Sequence, residues 1–154
     1  FGNSVALSAA GNTALVGAFL DDVGVNSDQG AAYVFVRSGS IWTQQVLLTA
    51  SDGAEEDFFG NSVALSGDGD TALVGASGDD VGTNSDQGAA YVFVRSDSSW
   101  TQQTLLTAND GAASDRFGSL VALSNDGMVT LVGTTGDDVG ANTNQGSAYI
   151  IALP

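Results

Sequence analysis

Residues 59–116 read FGNSVALSGDGDTALVGASGDDVGTNSDQGAAYVFVRSDSSWTQQTLLTANDGAASDR, and the chain states this unit almost three times. Phe59-Gly60 repeats Phe1-Gly2 and recurs as Phe117-Gly118, a spacing of 58 residues on both sides. Aligned on that period, the first two copies agree at 45 of 58 positions. Self-similarity at a fixed period is the mark of a repeat architecture, in which each unit buries its apolar face against the next. The expected division is residues 1–58, 59–116 and 117–154, the last copy stopping early at Pro154.

Inside each copy the pattern is that of short strands and turns. In the first, Ser4-Val5-Ala6-Leu7-Ser8 alternates as a half-buried strand does, and residues 9–12 supply a tight turn. A second strand, Thr13-Ala14-Leu15-Val16-Gly17, is apolar enough to be covered on both faces. After the long polar link Asp21–Gly30 comes Ala31-Ala32-Tyr33-Val34-Phe35-Val36, rich in aromatic and β-branched residues. Ser38-Gly39-Ser40 turns the chain into a fourth strand beginning at Trp42, and residues 51–57 lead to the next Phe-Gly. No window has helical periodicity. The fold class expected is all-β: tandem four-stranded antiparallel meanders, blades of β-propeller type, the third lacking its fourth strand.

Composition narrows the function. Eighteen acidic residues face three arginines, with no lysine or histidine, for a net charge of −15. That is well beyond the roughly 2–8 units usual for a small domain, and it repels phosphate backbones and anionic membranes, so no nucleic acid partner is expected. There is no apolar run near ~18 residues, hence no helical membrane span. Cysteine is absent, which removes disulfides and thiolate metal sites. The chain opens at Phe1 in mid-motif, without an initiator Met or a signal segment, and is expected to be a processed product or a segment of something longer.

The elements FGNSVALS, TALVGA and DQGAAYVFVR, with their later versions, resemble the FG-GAP repeat of integrin α-subunit propellers and of many secreted bacterial proteins. The resemblance spans essentially the whole chain. It implies an extracellular or cell-surface, non-enzymatic propeller used in adhesion or protein interaction. Two departures stand out. Phe19, Ser77 and Thr135 replace the proline of the family's Gly-Ala-Pro, with Thr134 also replacing the alanine. The family's calcium loop between the first two strands is here a short turn, so that site is not carried over.

In a meander, links 1–2 and 3–4 emerge at one end of the strands and links 2–3 and 4–1 at the other. Asp68, Asp70, Asp97 and Asp126 fall at the first end, and the other 14 acids at the second. Repulsion within so dense a cluster calls for salt or a bound cation. The link DDVGxNxDQG offers several side-chain oxygens, as calcium prefers. The candidate calcium ligands are Asp21, Asp22, Asn26 and Asp28; Asp79, Asp80, Asn84 and Asp86; and Asp137, Asp138, Asn142 and Asn144. The plainer alternative is a set of Asx-turns on a solvated face.

Phe1, Phe59 and Phe117, with Tyr33, Tyr91 and Tyr149, occupy equivalent positions suited to packing between neighbouring blades. Trp42 and Trp100 begin the outermost strand, as inter-blade or inter-chain contacts; the alternative is a glycan-binding propeller using them with the acidic loops. Catalysis is not expected. Without His, Cys or Lys the usual nucleophile–base pairs are missing, and carboxylate pairs such as Asp21/Asp22 are copied from repeat to repeat, whereas an acid and a base must differ.

The strand that follows Trp42 and Trp100 has no third version after Gly146–Ile151. Propellers close with about four to eight blades, so eleven strands do not make a standard ring. An open edge and near-identical repeat surfaces imply that the outgoing face of the third repeat fits the incoming face of the first, a heterologous contact that closes into a ring or runs on as a filament. The expected partners are therefore further copies of the chain, or the rest of a longer propeller. Phe1, Trp42, Trp100, Tyr149 and Ile151 are the candidate interface residues.

Overall fold

The computed structural model describes all residues, Phe1–Pro154. It contains eleven strands and no helix: β1 (Val5–Leu7), β2 (Thr13–Ala18), β3 (Ala31–Ser38), β4 (Ile41–Leu48), β5 (Phe59–Leu65), β6 (Thr71–Ala76), β7 (Ala89–Ser96), β8 (Ser99–Leu106), β9 (Phe117–Leu123), β10 (Val129–Thr134) and β11 (Ser147–Ala152). They form three antiparallel sheets in the orders β1-β2-β3-β4, β5-β6-β7-β8 and β9-β10-β11. Each sheet is a meander, which is the partial propeller expected from the repeat. All strand-to-strand links therefore alternate between two ends of the sheets.

Local chemistry sets the register. In the β5–β6 turn, Ser66 Oγ accepts from the Thr71 amide at 2.9 Å, while Asp68 Oδ1 accepts from the Ser66 hydroxyl at 2.6 Å and the Asp70 amide at 2.9 Å. These side chains replace ladder bonds that the reversing backbone cannot make. The outer hairpins β3–β4 and β7–β8 carry a bulge at the same place, Val34/Phe35 and Val92/Phe93.

The core lies between sheets, not within them. One apolar cluster joins Leu15, Ala32 and Val34 of the first sheet to Phe59, Val63, Val74, Tyr91 and Phe93 of the second. The other joins Leu73, Ala90 and Val92 of the second sheet to Phe117 and Val132 of the third. Strand alternation supplies both: even positions of β6 and β7 face the first sheet's outgoing surface or the third sheet's incoming one according to their phase. The second sheet is covered on both faces, the first and third on one each.

Glycine makes this stacking close. A Cβ on Gly17 would sit 2.0 Å from the Gly60 carbonyl oxygen, and one on Gly75 would sit 2.0 Å from that of Gly118. Side-chain and backbone hydrogen bonds cross the same junctions. Val63 and Val121 donate their amides to Ser4 Oγ and Ser62 Oγ at 2.9 and 3.0 Å. Ala9 donates to the Gly67 carbonyl, and Gly67 to that of Asn125, each at 2.8 Å.

Candidate functional site

Two features could carry function: the acidic end and the open sheet faces. At the acidic end, each β2–β3 or equivalent link is held by its own polar groups. Asp22, Asp80 and Asp138 accept through Oδ1 from the amides of Asp28, Asp86 and Asn144, at 3.0, 2.9 and 2.7 Å. Those three donors have φ of 52°, 52° and 51°, a left-handed conformation that Asp and Asn tolerate better than most side chains. This explains why Asp gives way to Asn at 144 with the loop unchanged. Asn26, Asn84 and Asn142 donate through Nδ2 to Gln29, Gln87 and Gln145, and the first two also reach the Gly53 and Gly111 carbonyls of the following link at 3.1 Å. The twelve candidate calcium ligands thus serve largely in turns and link-to-link bonds. No group of three or more acidic side chains is gathered as a metal-holding site.

The first aspartate of each link is used differently. Asp21 accepts from the Tyr33 hydroxyl at 2.5 Å. At the junction of the first two sheets, the Tyr91 hydroxyl contacts both Asp79 Oδ2 and, at 3.0 Å, Asp52 Oδ1 of the preceding link. Tyr149 repeats this with Asp110 at 2.8 Å and Asp137 at 3.5 Å. A phenol has one proton to give, so two carboxylates around it are fully satisfied only when one is protonated. Burial, then the charges of Asp57, Asp52 and Asp80, push Asp79 up from 3.8 to about 6, against the lowering effect of the Tyr91 hydrogen bond. Burial raises Asp57 as well, despite the bond it accepts from the Ala54 amide. Burial and the neighbouring carboxylates raise the Tyr91 and Tyr149 hydroxyls, which stay protonated and donating. The acidic end is thus a set of inter-sheet clasps in which repulsion is incompletely offset. Around the second junction the acids line an open crevice of about 270 Å³ between Asp110, Asp115, Asp137 and Asp138.

The tryptophans belong to the outer hairpins. Arg37 lies over the Trp42 ring at 5.9 Å and Arg95 over Trp100 at 5.5 Å. Trp100 Nε1 donates across the first junction to Gln45 Oε1 at 2.9 Å, which commits that ring to sheet-to-sheet packing; Trp42, at the equivalent place on the first sheet, is 42 % exposed. Arg95 also pairs with Asp70 at 2.5 Å, and Arg37 bonds Asn12 at 2.8 Å. At the same positions of the third repeat, Leu153 donates its amide to the Met128 carbonyl, and both side chains are apolar.

The open faces are the larger feature. On the first sheet, Phe1, Val5 and Leu7 are 76 %, 68 % and 63 % exposed, whereas their counterparts Phe59 and Val63 are buried. On the third, Leu120, Leu131 and Ile150 are 67 %, 45 % and 78 % exposed, where the counterparts Ser62, Leu73 and Val92 are buried. Of the sequence-derived interface residues, Phe1 and Trp42 lie on the open first face. Tyr149 and Ile151 point inward, packed against the junction with the second sheet. Leu120, Leu131 and Ile150 were not singled out from sequence, although alternation from the inward Tyr149 and Ile151 places Ile150 on the opposite face.

No curated protein shows significant similarity to the chain. The sequence model of the FG-GAP repeat matches residues 1–35, 42–93 and 100–151. FG-GAP repeats are generally extracellular adhesion-type units, structural or binding rather than catalytic. The matched segments run β1–β3, β4–β7 and β8–β11, so every strand of the three sheets falls within or overlaps a match, and the chain belongs to the FG-GAP repeat family.

Proposed function

We propose that this chain is a non-enzymatic, extracellular structural or adhesive module that binds other proteins blade to blade, through the open faces of its outer sheets. The observation that carries this reading is the exposure of Leu131 and Ile150, 45 % and 78 %, at positions where Leu73 and Val92 are fully buried by a neighbouring blade. Contiguous exposed apolar surface marks an interaction site, and covering one such side chain is worth about 1.5–3 kcal/mol. The carboxylates that the acidic end holds in place are repeated ones, Asp22, Asp80 and Asp138 in turns and Asp52, Asp79, Asp110 and Asp137 in tyrosine clasps, an undifferentiated set that favours structure over catalysis.

Calcium enters this reading as a screening counterion at the acidic end, where Asp22, Asp80 and Asp138 each already accept an amide of their own link. Sedimentation velocity across a concentration series tests the main claim. Mass-action growth of larger species, strengthened by salt that screens the acidic end, is expected. A monomer at every concentration and ionic strength would remove the reading. For the ion, calcium should raise the melting temperature more than sodium at matched ionic strength; equal shifts would dismiss a calcium preference.

A further inference from the structure

We infer that the outward face of the third sheet is a socket for the first sheet of a second copy of this chain, docked in the register that already joins sheets one to two and two to three. The inference rests on the blade-to-blade reading above and adds the occupant and its orientation.

The internal junctions are the template. Each pairs an outgoing face with an incoming one, through a glycine of the middle strand that receives the carbonyl of the next Phe-Gly. Gly17 receives Gly60 and Gly75 receives Gly118; at Gly133 the nearest atoms to an added Cβ are those of Leu120 of its own sheet, at 3.6 Å. A second contact repeats: Gly30 and Gly88 meet the carbonyls of Phe59 and Phe117, while Gly146 meets only the neighbouring Thr134 and Thr135. A cavity of about 550 Å³ occupies this place on the third sheet, lined by Leu120, Gly133, Thr134 and Gly146 among others.

The matching plug is already formed on the first sheet. Gly2 has φ of +83°, alongside +89° at Gly60 and +85° at Gly118, so the same positive-φ backbone stands at this place in all three repeats. Phe1 packs edge-on against Tyr33 and Phe35, with ring centroids 5.2 and 6.4 Å away, as Phe59 does against Tyr91 and Phe93 at 5.5 and 5.9 Å. The socket differs from its internal templates in one direction. Leu120 stands where Ser4 and Ser62 accept an amide, and Val129 stands where Thr13 and Thr71 lie. The Ser4 and Ser62 bonds, the Asn3 and Asn61 side-chain bonds (Ser119 stands at their place) and the Arg95–Thr13 bond of the first junction have no counterpart on this face, and two further apolar side chains stand there instead, a change suited to a partner arriving from water. Because outgoing meets incoming at both internal junctions, the contact between copies is head to tail and not face to face.

The chain has no cysteine, which allows a clean test. Val5 and Leu120 of different copies would meet as Val63 meets Ser4 and Val121 meets Ser62. Val5→Cys and Leu120→Cys are prepared separately, then mixed and treated with an oxidant or a short bis-maleimide. A covalent dimer in the mixture, absent from either variant alone, is expected. Adding Gly133→Ala to the Leu120→Cys chain should abolish it while leaving the circular-dichroism melt of that chain in place. A dimer of Leu120→Cys with itself, as abundant as in the mixture, would overturn the head-to-tail register. Association in sedimentation without cross-linking in the mixture would overturn this inference and leave blade-to-blade binding standing; no association by either method would end both.

Discussion

Alanine at Gly75 and at Gly133 is the same chemical change at equivalent positions, yet the two should differ by several kcal/mol. A Cβ at Gly75 would lie 2.0 Å from the Gly118 oxygen and 3.0 Å from its carbon, both backbone atoms that no rotamer change can move. Restoring an ordinary contact of 3.4 Å would require β6 and β9 to part by about 1.4 Å. That gap opens the cluster of Leu73, Val92, Phe117 and Val132, all fully buried. A gap of ~0.5–1 Å already forfeits a quarter to a half of the dispersion attraction, so the cost should reach ~3 kcal/mol or more. At Gly133 the nearest atom is 3.6 Å away, an ordinary contact. Neither glycine has positive φ, so backbone strain does not confuse the comparison. There, alanine reduces the freedom of the unfolded chain and should stabilise by ~0.4–1 kcal/mol. Urea denaturation of the three chains gives the difference directly. In melting temperature it corresponds to a fall of ~6–12 °C for Gly75→Ala and a rise of a few degrees for Gly133→Ala. Equal stabilities within about 1 kcal/mol would show that close sheet approach does not hold the stack together, and the junction argument would fail with it.

Stability should also depend on pH in an unusual sense. Asp79 takes up its proton at about 6 in the folded chain and near 3.8 when unfolded, so protonation favours folding: its unfavourable contribution is full above pH 6, eases as pH falls through 6, and is gone below 3.8. Asp57 acts in the same direction. Asp68, held low by the Ser66 hydroxyl and then by the Asp70 amide, opposes them only as pH drops below its usual range. The melting temperature should therefore be higher at pH 5 than at pH 8, and Asp79→Asn should raise the pH 8 value and flatten the profile; an unchanged profile would refute the clasp. Tyr91→Phe leaves Asp52 and Asp79 facing each other without a donor, and should cost ~1–3 kcal/mol at neutral pH and raise the Asp79 midpoint further, read by carboxyl carbon NMR. Arg95→Ala removes both the Asp70 pair and the cover over Trp100; ~1–2 kcal/mol in urea denaturation is expected, more than Asp70→Ala because the stacked guanidinium also packs.

Much of this was open to reading in one dimension. The spacing of 58 residues and the alternation of TALVGA and AAYVFV place strands within a residue or two of β2 and β3, because side-chain period and turn chemistry act locally. Meander connectivity, and with it the gathering of 14 acids at one end, follows from short links between antiparallel strands. The tyrosine clasp was not visible. Asp79, 12 residues from Tyr91, meets it within one sheet as Asp21 meets Tyr33, but Asp52, 39 residues away, meets it only because two sheets stack. Nor could charge density in the DDVGxNxDQG link reveal that Asp22, Asp80 and Asp138 accept amides and Asp21 and Asp79 accept tyrosine hydroxyls, since Asx-turns and cation loops use the same residues.

What the amino-acid sequence determined alone was the unit: four strands, their order, and an apolar surface that stacks on the next repeat, all consequences of local propensity and repetition. The tertiary structure decided which surface that is. Alternation says that Tyr149 and Ile150 point opposite ways, but only the stacking of the second sheet on one side shows that Tyr149 is covered and Ile150 is not. The glycine contacts tell the same story, because Gly17, Gly75 and Gly133 sit at one place in the repeat and differ only in whether another blade's backbone lies against them. Burial belongs to pairs of sheets, and a pair exists only in three dimensions.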